Sequence, residues 1–90
     1  MRFEDDPHPM MIRILFFAKA REAAATDEIL LPLESAPDSS RLWDYLVVQF
    51  PQLAAMRDSI RLSRNSQFVQ DTEGFAAGDE IALIPPVSGG

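Results

Sequence analysis

Seven residues near the start of the chain, Met11–Phe17 (MIRILFF), restrict the fold more than any other stretch. Ile12, Ile14 and Phe16 alternate with Arg13, Leu15 and Phe17, a period of two that suits a β-strand and not a helix. The first set forms a wholly apolar face. The second carries two large apolar groups beside Arg13, so it does not read as plainly solvated either. A lone strand is not stable in water, and the remaining residues have to supply its partners and its cover.

The rest of the chain can be read against that strand. Ala18–Thr26 is a connection with a helical turn at Arg21–Ala25, and Glu28–Leu33 is a second strand. Pro32 places that strand at a sheet edge or marks its end, because proline has no amide hydrogen for a ladder. Pro37-Asp38-Ser39-Ser40 is a helix start, with Asp38 as the cap whose carboxylate accepts from free amides. The helix runs to about Phe50. Leu42, Trp43, Leu46, Val47 and Phe50 recur at three- and four-residue spacing and form its buried stripe, so Trp43 belongs to the core. Pro51 ends the helix, and a short turn, Gln52–Arg57, follows. Ile60–Ser63 and Phe68–Val69 are strands joined through a turn at Asn65-Ser66. Asp71–Gly74 and Ala77–Asp79 are loops, and Glu80–Ile84 is the last strand. The order strand, strand, helix, strand, short strand, strand predicts an α+β fold. Its form is a β-grasp roll, a mixed sheet packed on one main helix.

Bulk properties narrow the function. Ninety residues, 47% hydrophobic and 24% charged, suit one soluble core. The absence of cysteine removes disulfides, thiolate metal sites and a cysteine nucleophile, and no motif for any other metal is present. A formal net charge of −6, with no run among the eight Lys and Arg residues, argues against nucleic acid. No apolar run is long enough for a membrane span. Residues Met1–Met10 form an acidic, proline-containing leader without the layout of a signal peptide, which predicts a cytoplasmic protein. His8 stands alone in that leader with no orienting partner. The expected organisation is a leader over 1–10, the β-grasp domain over 11–84 and an extended tail over 85–90.

The tail, Pro85-Pro86-Val87-Ser88-Gly89-Gly90, holds the chemistry. A terminal glycine pair arises by chance in only about one chain in 200, given average glycine usage. The two prolines cannot continue the ladder of the last strand, and they favour an extended polyproline conformation. Gly89 and Gly90 carry no side chain to obstruct passage through a narrow channel. The product is a stiff exit with a slim tip that presents one reactive group, the α-carboxylate of Gly90. The same residues equally suit a simple strand end and an open terminus. A carboxylate becomes an electrophile once it is converted to an acyl-adenylate, from which a sulfur nucleophile displaces AMP. The chain has no phosphate-binding glycine loop, so ATP has to be held by an activating partner, with no cofactor bound here.

Two blocks carry a family resemblance. One is Met11-Ile12-Arg13-Ile14-Leu15-Phe16-Phe17-Ala18 followed by Arg21-Glu22; the other is Gly78-Asp79-Glu80-Ile81-Ala82 running into Pro85-Pro86-Val87-Ser88-Gly89-Gly90. With Leu42 and the Arg64–Val69 stretch between them, the chain from Met11 to Gly90 resembles the small subunit of molybdopterin synthase, a ubiquitin-like sulfur carrier. The resemblance implies that a ubiquitin-activator-like adenylyltransferase forms a glycyl adenylate at Gly90 and that a sulfur donor converts it to a thiocarboxylate. It further implies that Pro85, Pro86, Val87, Ser88 and Gly89 enter the active site of the large synthase subunit, where cyclic pyranopterin monophosphate receives the sulfur. Such small subunits occupy the two ends of a heterotetramer of two small and two large subunits. The resemblance also implies partner contacts at Phe17, Phe68 and Ile84, which fits large apolar groups outside the main core. Lys19 and Arg21 are candidates for acidic partner groups, or are solvated. The Asp71–Ala77 loop and the leader have no counterpart in the resemblance.

Other readings share the tail. A sulfur carrier for thiamine (thiazole) synthesis or tRNA thiolation would use identical chemistry at Gly90. A ubiquitin-like protein modifier would join Gly90 to target lysines. A pure binding module would leave the tail inert.

Overall fold

In a computed structural model, residues 10–70 and 73–86 of the chain are described. The expected strand forms at Met11–Phe16 (β1), and a helix follows at Ala18–Ala24 (α1). Next come Glu28–Pro32 (β2), a 3-10 turn at Leu33–Ser35, and the main helix Ser39–Gln49 (α2). A 3-10 stretch, Pro51–Ser59, leads to Arg61–Arg64 (β3), Gln67–Phe68 (β4) and Glu80–Ile84 (β5). The sheet order is β2-β1-β5-β3-β4. Only β1 and β5 pair in parallel; the other neighbours are antiparallel, so the sheet is mixed as expected. Pro32 ends β2 on an open edge, where its missing amide hydrogen costs no ladder bond.

One face of the sheet makes the core. Ile12, Ile14, Phe16, Ile81 and Leu83 are all at most 1% exposed, and Leu42, Trp43 and Leu46 of α2 close over them. Each such side chain contributes about 1.5–3 kcal/mol when fully buried. Phe50 sits at the helix end and meets Phe16 edge to face at 5.5 Å. Asp38 caps α2 as its sequence position predicts, accepting from the Arg41 amide at 2.9 Å.

Two connections are longer than their sequence suggests. The turn expected at Arg21–Ala25 is part of a two-turn helix beginning at Ala18, because Ala20 and Ala24 pack into the core with side chains too small to mark a stripe. Likewise the turn expected at Gln52–Arg57 is a nine-residue 3-10 stretch, anchored by fully buried Leu53.

A polar cluster ties the loop before β5 to the β3–β4 hairpin. Asn65 and Ser66 both adopt positive φ, the two-residue turn whose twist matches that of the flanking strands. The Asp79 carboxylate accepts from Arg64 Nε at 2.6 Å, Asn65 Nδ2 at 2.9 Å and the Ala76 amide at 2.7 Å. Glu73 accepts from Arg64 at 2.9 Å and from the Gln70 amide at 3.1 Å. Burial pushes the Asp79 carboxyl up, but the Ala76 amide, Asn65 and Arg64 together outweigh it and hold it below its usual range. Glu73 is lowered as well, first by the Gln70 amide and then by Arg64. Arg64 is raised, mainly by its bond to Asp79, and stays charged.

Both carboxyls bind protons less readily folded than unfolded. The stabilisation is therefore complete above the unfolded value and is lost as pH falls through about 4 and lower. Asp79→Asn is expected to cost about 2 kcal/mol at neutral pH and to flatten the acid dependence of stability. Denaturant titrations at neutral and acidic pH measure both effects, and an unchanged acid slope in the variant would remove Asp79 from this role.

Candidate functional site

Because β1 and β5 run parallel, they finish at the same end of the sheet, with Phe16 opposite Leu83. Phe17 follows the first of these residues and Ile84 the second. The antiparallel strand β3 starts at that end, with Arg61 opposite Ile84. Pro85, the next residue, is buried and has no amide hydrogen, so the ladder stops there; Pro86 is exposed. The backbone thus leaves the sheet from its central strand, beside Phe17 and Ile84.

The face of the sheet opposite the core is apolar at this end. Strand register sets Leu15, Ala82, Ser63 and Phe68 in one row across β1, β5, β3 and β4. With Phe17, Ile84, Ser66 and Glu80 they line a shallow cleft of about 260 Å³. Phe17 is 48% exposed and Phe68 50% exposed, although each is a large ring on an ordered backbone. Contiguous apolar groups held in water in this way are of the kind that interaction surfaces use. Ser63 lies in the floor at 7% exposure, and no partner for its hydroxyl occurs among the described residues. The Arg61 guanidinium lies 3.7 Å from the centre of the Phe68 ring, which fixes the ring at the rim. Toward the other end the same face turns ionic: Arg13 bonds Glu28 and Glu80, each at 3.0 Å. Its hydrogen bond to Glu28 raises Arg13, which therefore stays charged.

The three apolar positions expected to meet a partner, Phe17, Phe68 and Ile84, are thus brought together on one cleft beside the exit of the tail. Pro85 and Pro86 stand at that exit, while Val87, Ser88, Gly89 and Gly90 lie outside the described residues, as does His8. Arg21 is paired with Asp27 at 3.2 Å, and Lys19 is exposed on α1. Trp43 is in the core, 6% exposed. Sequence reasoning placed Leu15 on this face but missed Ser63 and Ala82; the period of two along Ile60–Ser63 and Glu80–Ile84 carries the signal, once the register is known. It missed the Arg64–Asp79 cluster altogether, since those residues meet only through the fold. No helix among the described residues is long and apolar enough to cross a membrane.

Comparison with known proteins adds an independent line. Residues 14–90 match the ThiS family. The molybdopterin synthase sulfur carrier subunit of Arabidopsis thaliana is 35% identical over 86 residues, covering 96% of this chain and 90% of that protein. The crystal structure of SAMP1, a small archaeal modifier protein from Haloferax volcanii, is 31% identical, with a TM-score of 0.76 over 89% of this chain and 99% of that one. Subunit 1 or 2 in the complex of the molybdopterin-converting factor from Helicobacter pylori matches in fold, with 23% identity and a TM-score of 0.67 over 90% of this chain and 100% of that one.

Half-exposed rings outside the core contribute little to folding. Phe17→Ser and Phe68→Ser are each expected to change unfolding free energy by less than about 1 kcal/mol, against about 4 kcal/mol for Phe16→Ala. Urea titration of the three variants makes the comparison, and losses at Phe17 or Phe68 as large as at Phe16 would make those rings structural.

Proposed function

The chain belongs to the ThiS family, among the sulfur carrier subunits of molybdopterin synthase, and from that premise we propose that it carries sulfur on the α-carboxylate of Gly90. The observation that supports this reading is the shared end of β1 and β5, which sets the apolar cleft of Phe17, Phe68 and Ile84 beside Pro85. Docking on that cleft fixes the start of the tail, and five residues beyond Pro85 then span up to about 17 Å when extended. A tip at that reach enters a partner's active site while the folded body stays outside it.

In the proposed cycle an activating protein of the ubiquitin-activator kind binds ATP. A Gly90 carboxylate oxygen attacks the α-phosphorus, pyrophosphate leaves, and an acyl-adenylate forms. A sulfur nucleophile then attacks the acyl carbon and AMP leaves. Sulfide gives the thiocarboxylate directly, whereas a persulfide donor gives an acyl disulfide whose S–S bond a thiol cleaves, leaving the thiocarboxylate and a disulfide between donor and thiol. The tail, Pro85 through Gly89, next carries Gly90 into the large subunit of the synthase, where the sulfur passes to cyclic pyranopterin monophosphate during molybdenum cofactor biosynthesis. Once the sulfur is bonded to the pterin, water cleaves its bond to the Gly90 acyl carbon and returns the carboxylate, ready for recharging. The assembly is a heterotetramer of two small and two large subunits. The chain acts as the small subunit and as a sulfur-donating co-substrate, with the catalytic groups for activation and transfer on its partners.

The likeness to SAMP1 supports a second reading, in which activated Gly90 joins a lysine amine of a target as an isopeptide. Conjugates of higher mass that require Gly90 distinguish it from carriage of sulfur.

Deletion of Gly90 is expected to abolish sulfur transfer to the pterin precursor while unfolding and large-subunit affinity stay close to those of the intact chain. Phe17→Lys is expected to do the reverse, weakening large-subunit binding by at least about tenfold without loss of fold. Transfer assays and binding isotherms on both variants separate the two roles. Full transfer without Gly90, or undiminished affinity with Phe17→Lys, contradicts the assignment of that residue.

A further inference from the structure

Arginine pairing is uneven across the molecule. Arg13, Arg21 and Arg64 each bond a carboxylate. Arg41, Arg57 and Arg61, all exposed, have no ion pair among the described residues, and Arg57 and Arg61 are held instead on aromatic rings. Arg57 lies 5.4 Å from the centre of the Trp43 ring, and Arg61 lies 3.7 Å from that of Phe68. The two arginines line a single cleft of about 510 Å³, at the side of the sheet where β4 has ended. Trp43 and Gln70 are in its wall, and Ser39 and Ser40 bring the first turn of α2 to it. Asp58 also lines the cleft and is bonded to neither guanidinium. The cleft is therefore cationic on a chain whose formal net charge is −6.

This cleft is separate from the apolar one but joined to it. Arg61 lines the cationic cleft, and the ring beneath its guanidinium is Phe68, which lines the apolar cleft. A protein seated on Phe17, Phe68 and Ile84 passes over Arg61 into the cationic cleft. The aromatic rings restrain both guanidiniums, so less side-chain freedom is lost when a carboxylate arrives. Arginine presents a planar fork that suits a carboxylate on two bonds.

We propose that the Arg57–Arg61 cleft receives an acidic segment, Asp or Glu side chains, of the protein that docks on the neighbouring apolar cleft. The inference rests on the docking reading above and adds to it the charge of the partner segment. Docking then has two parts: apolar contacts that anchor, and a charge pair at the rim that guides approach and sets register.

The test measures affinity of the full chain for the large synthase subunit at low and high salt, with Arg57→Glu/Arg61→Glu and Phe17→Lys compared with the unaltered sequence. The double variant is expected to bind about tenfold more weakly at low salt and to lose most of the salt dependence. Phe17→Lys is expected to weaken binding at both salt concentrations and to keep the salt dependence. If the double variant binds with unchanged affinity and salt slope while Phe17→Lys is weak, docking stands and the acidic-segment proposal is overturned. If neither variant weakens binding, both are overturned. Trp43, the only tryptophan, gives a readout that needs no partner. Hexaglutamate peptide is expected to produce a saturable change in its emission, kept in Phe17→Lys and lost in the double variant. No change, or an equal change with hexalysine, contradicts the proposal.

Discussion

The parallel pairing of β1 with β5 is the contact on which the rest of the molecule depends. It joins the first described strand to the last, from Arg13 opposite Glu80 to Phe16 opposite Leu83. Closing so long a chain segment is costly in entropy, and the return is burial of Ile12, Ile14, Phe16, Ile81 and Leu83 under α2. The same pairing has a geometric consequence on the opposite face. Two parallel strands finish together, so Phe17 and Ile84 stand side by side where Pro85 takes the backbone off the sheet. Core and apolar cleft are the two faces of one pairing.

The strands beyond β5 complete that cleft through local turn chemistry. The left-handed pair Asn65-Ser66 reverses the chain so that Phe68 comes opposite Ser63 and hence in line with Ala82 and Leu15. Asp79 ties this turn to the loop before β5 by bonding Arg64, Asn65 and the Ala76 amide. Rigid backbone beneath half-exposed rings limits the ordering that a partner has to impose on binding. The paired charges at Arg13 and the unpaired ones at Arg57 and Arg61 divide the surroundings into an ionic end already satisfied and a cationic flank left open.

Elements with their own punctuation were legible in the sequence. Asp38 and Pro51 bracket α2, Pro32 marks the edge strand, and the alternation in Met11–Phe16 marks β1. Helix α1 was under-read because alanines fill its buried positions and give no apolar stripe. The strand β4 is too short to show alternation, and its register comes from the Asn65-Ser66 turn rather than from its own residues. The site divides in the same way. The terminal motif from Pro85 to Gly90 is contiguous in sequence and readable as such, whereas Ser63, Ala82 and Arg61 come to Phe68 only through strand pairing, and Arg57 reaches Trp43 only through the fold.

The central claim is that Gly90 is the atom-bearing residue of a sulfur carrier, and intact-mass spectrometry tests it most directly. The full chain is incubated with an adenylating partner, ATP and a sulfur donor, then weighed alongside a chain lacking Gly90. The account predicts a mass increase equal to exchange of one oxygen for sulfur in the full chain and none in the truncated one. An unshifted full chain beside a partner that demonstrably consumes ATP, or an equal shift without Gly90, would contradict it.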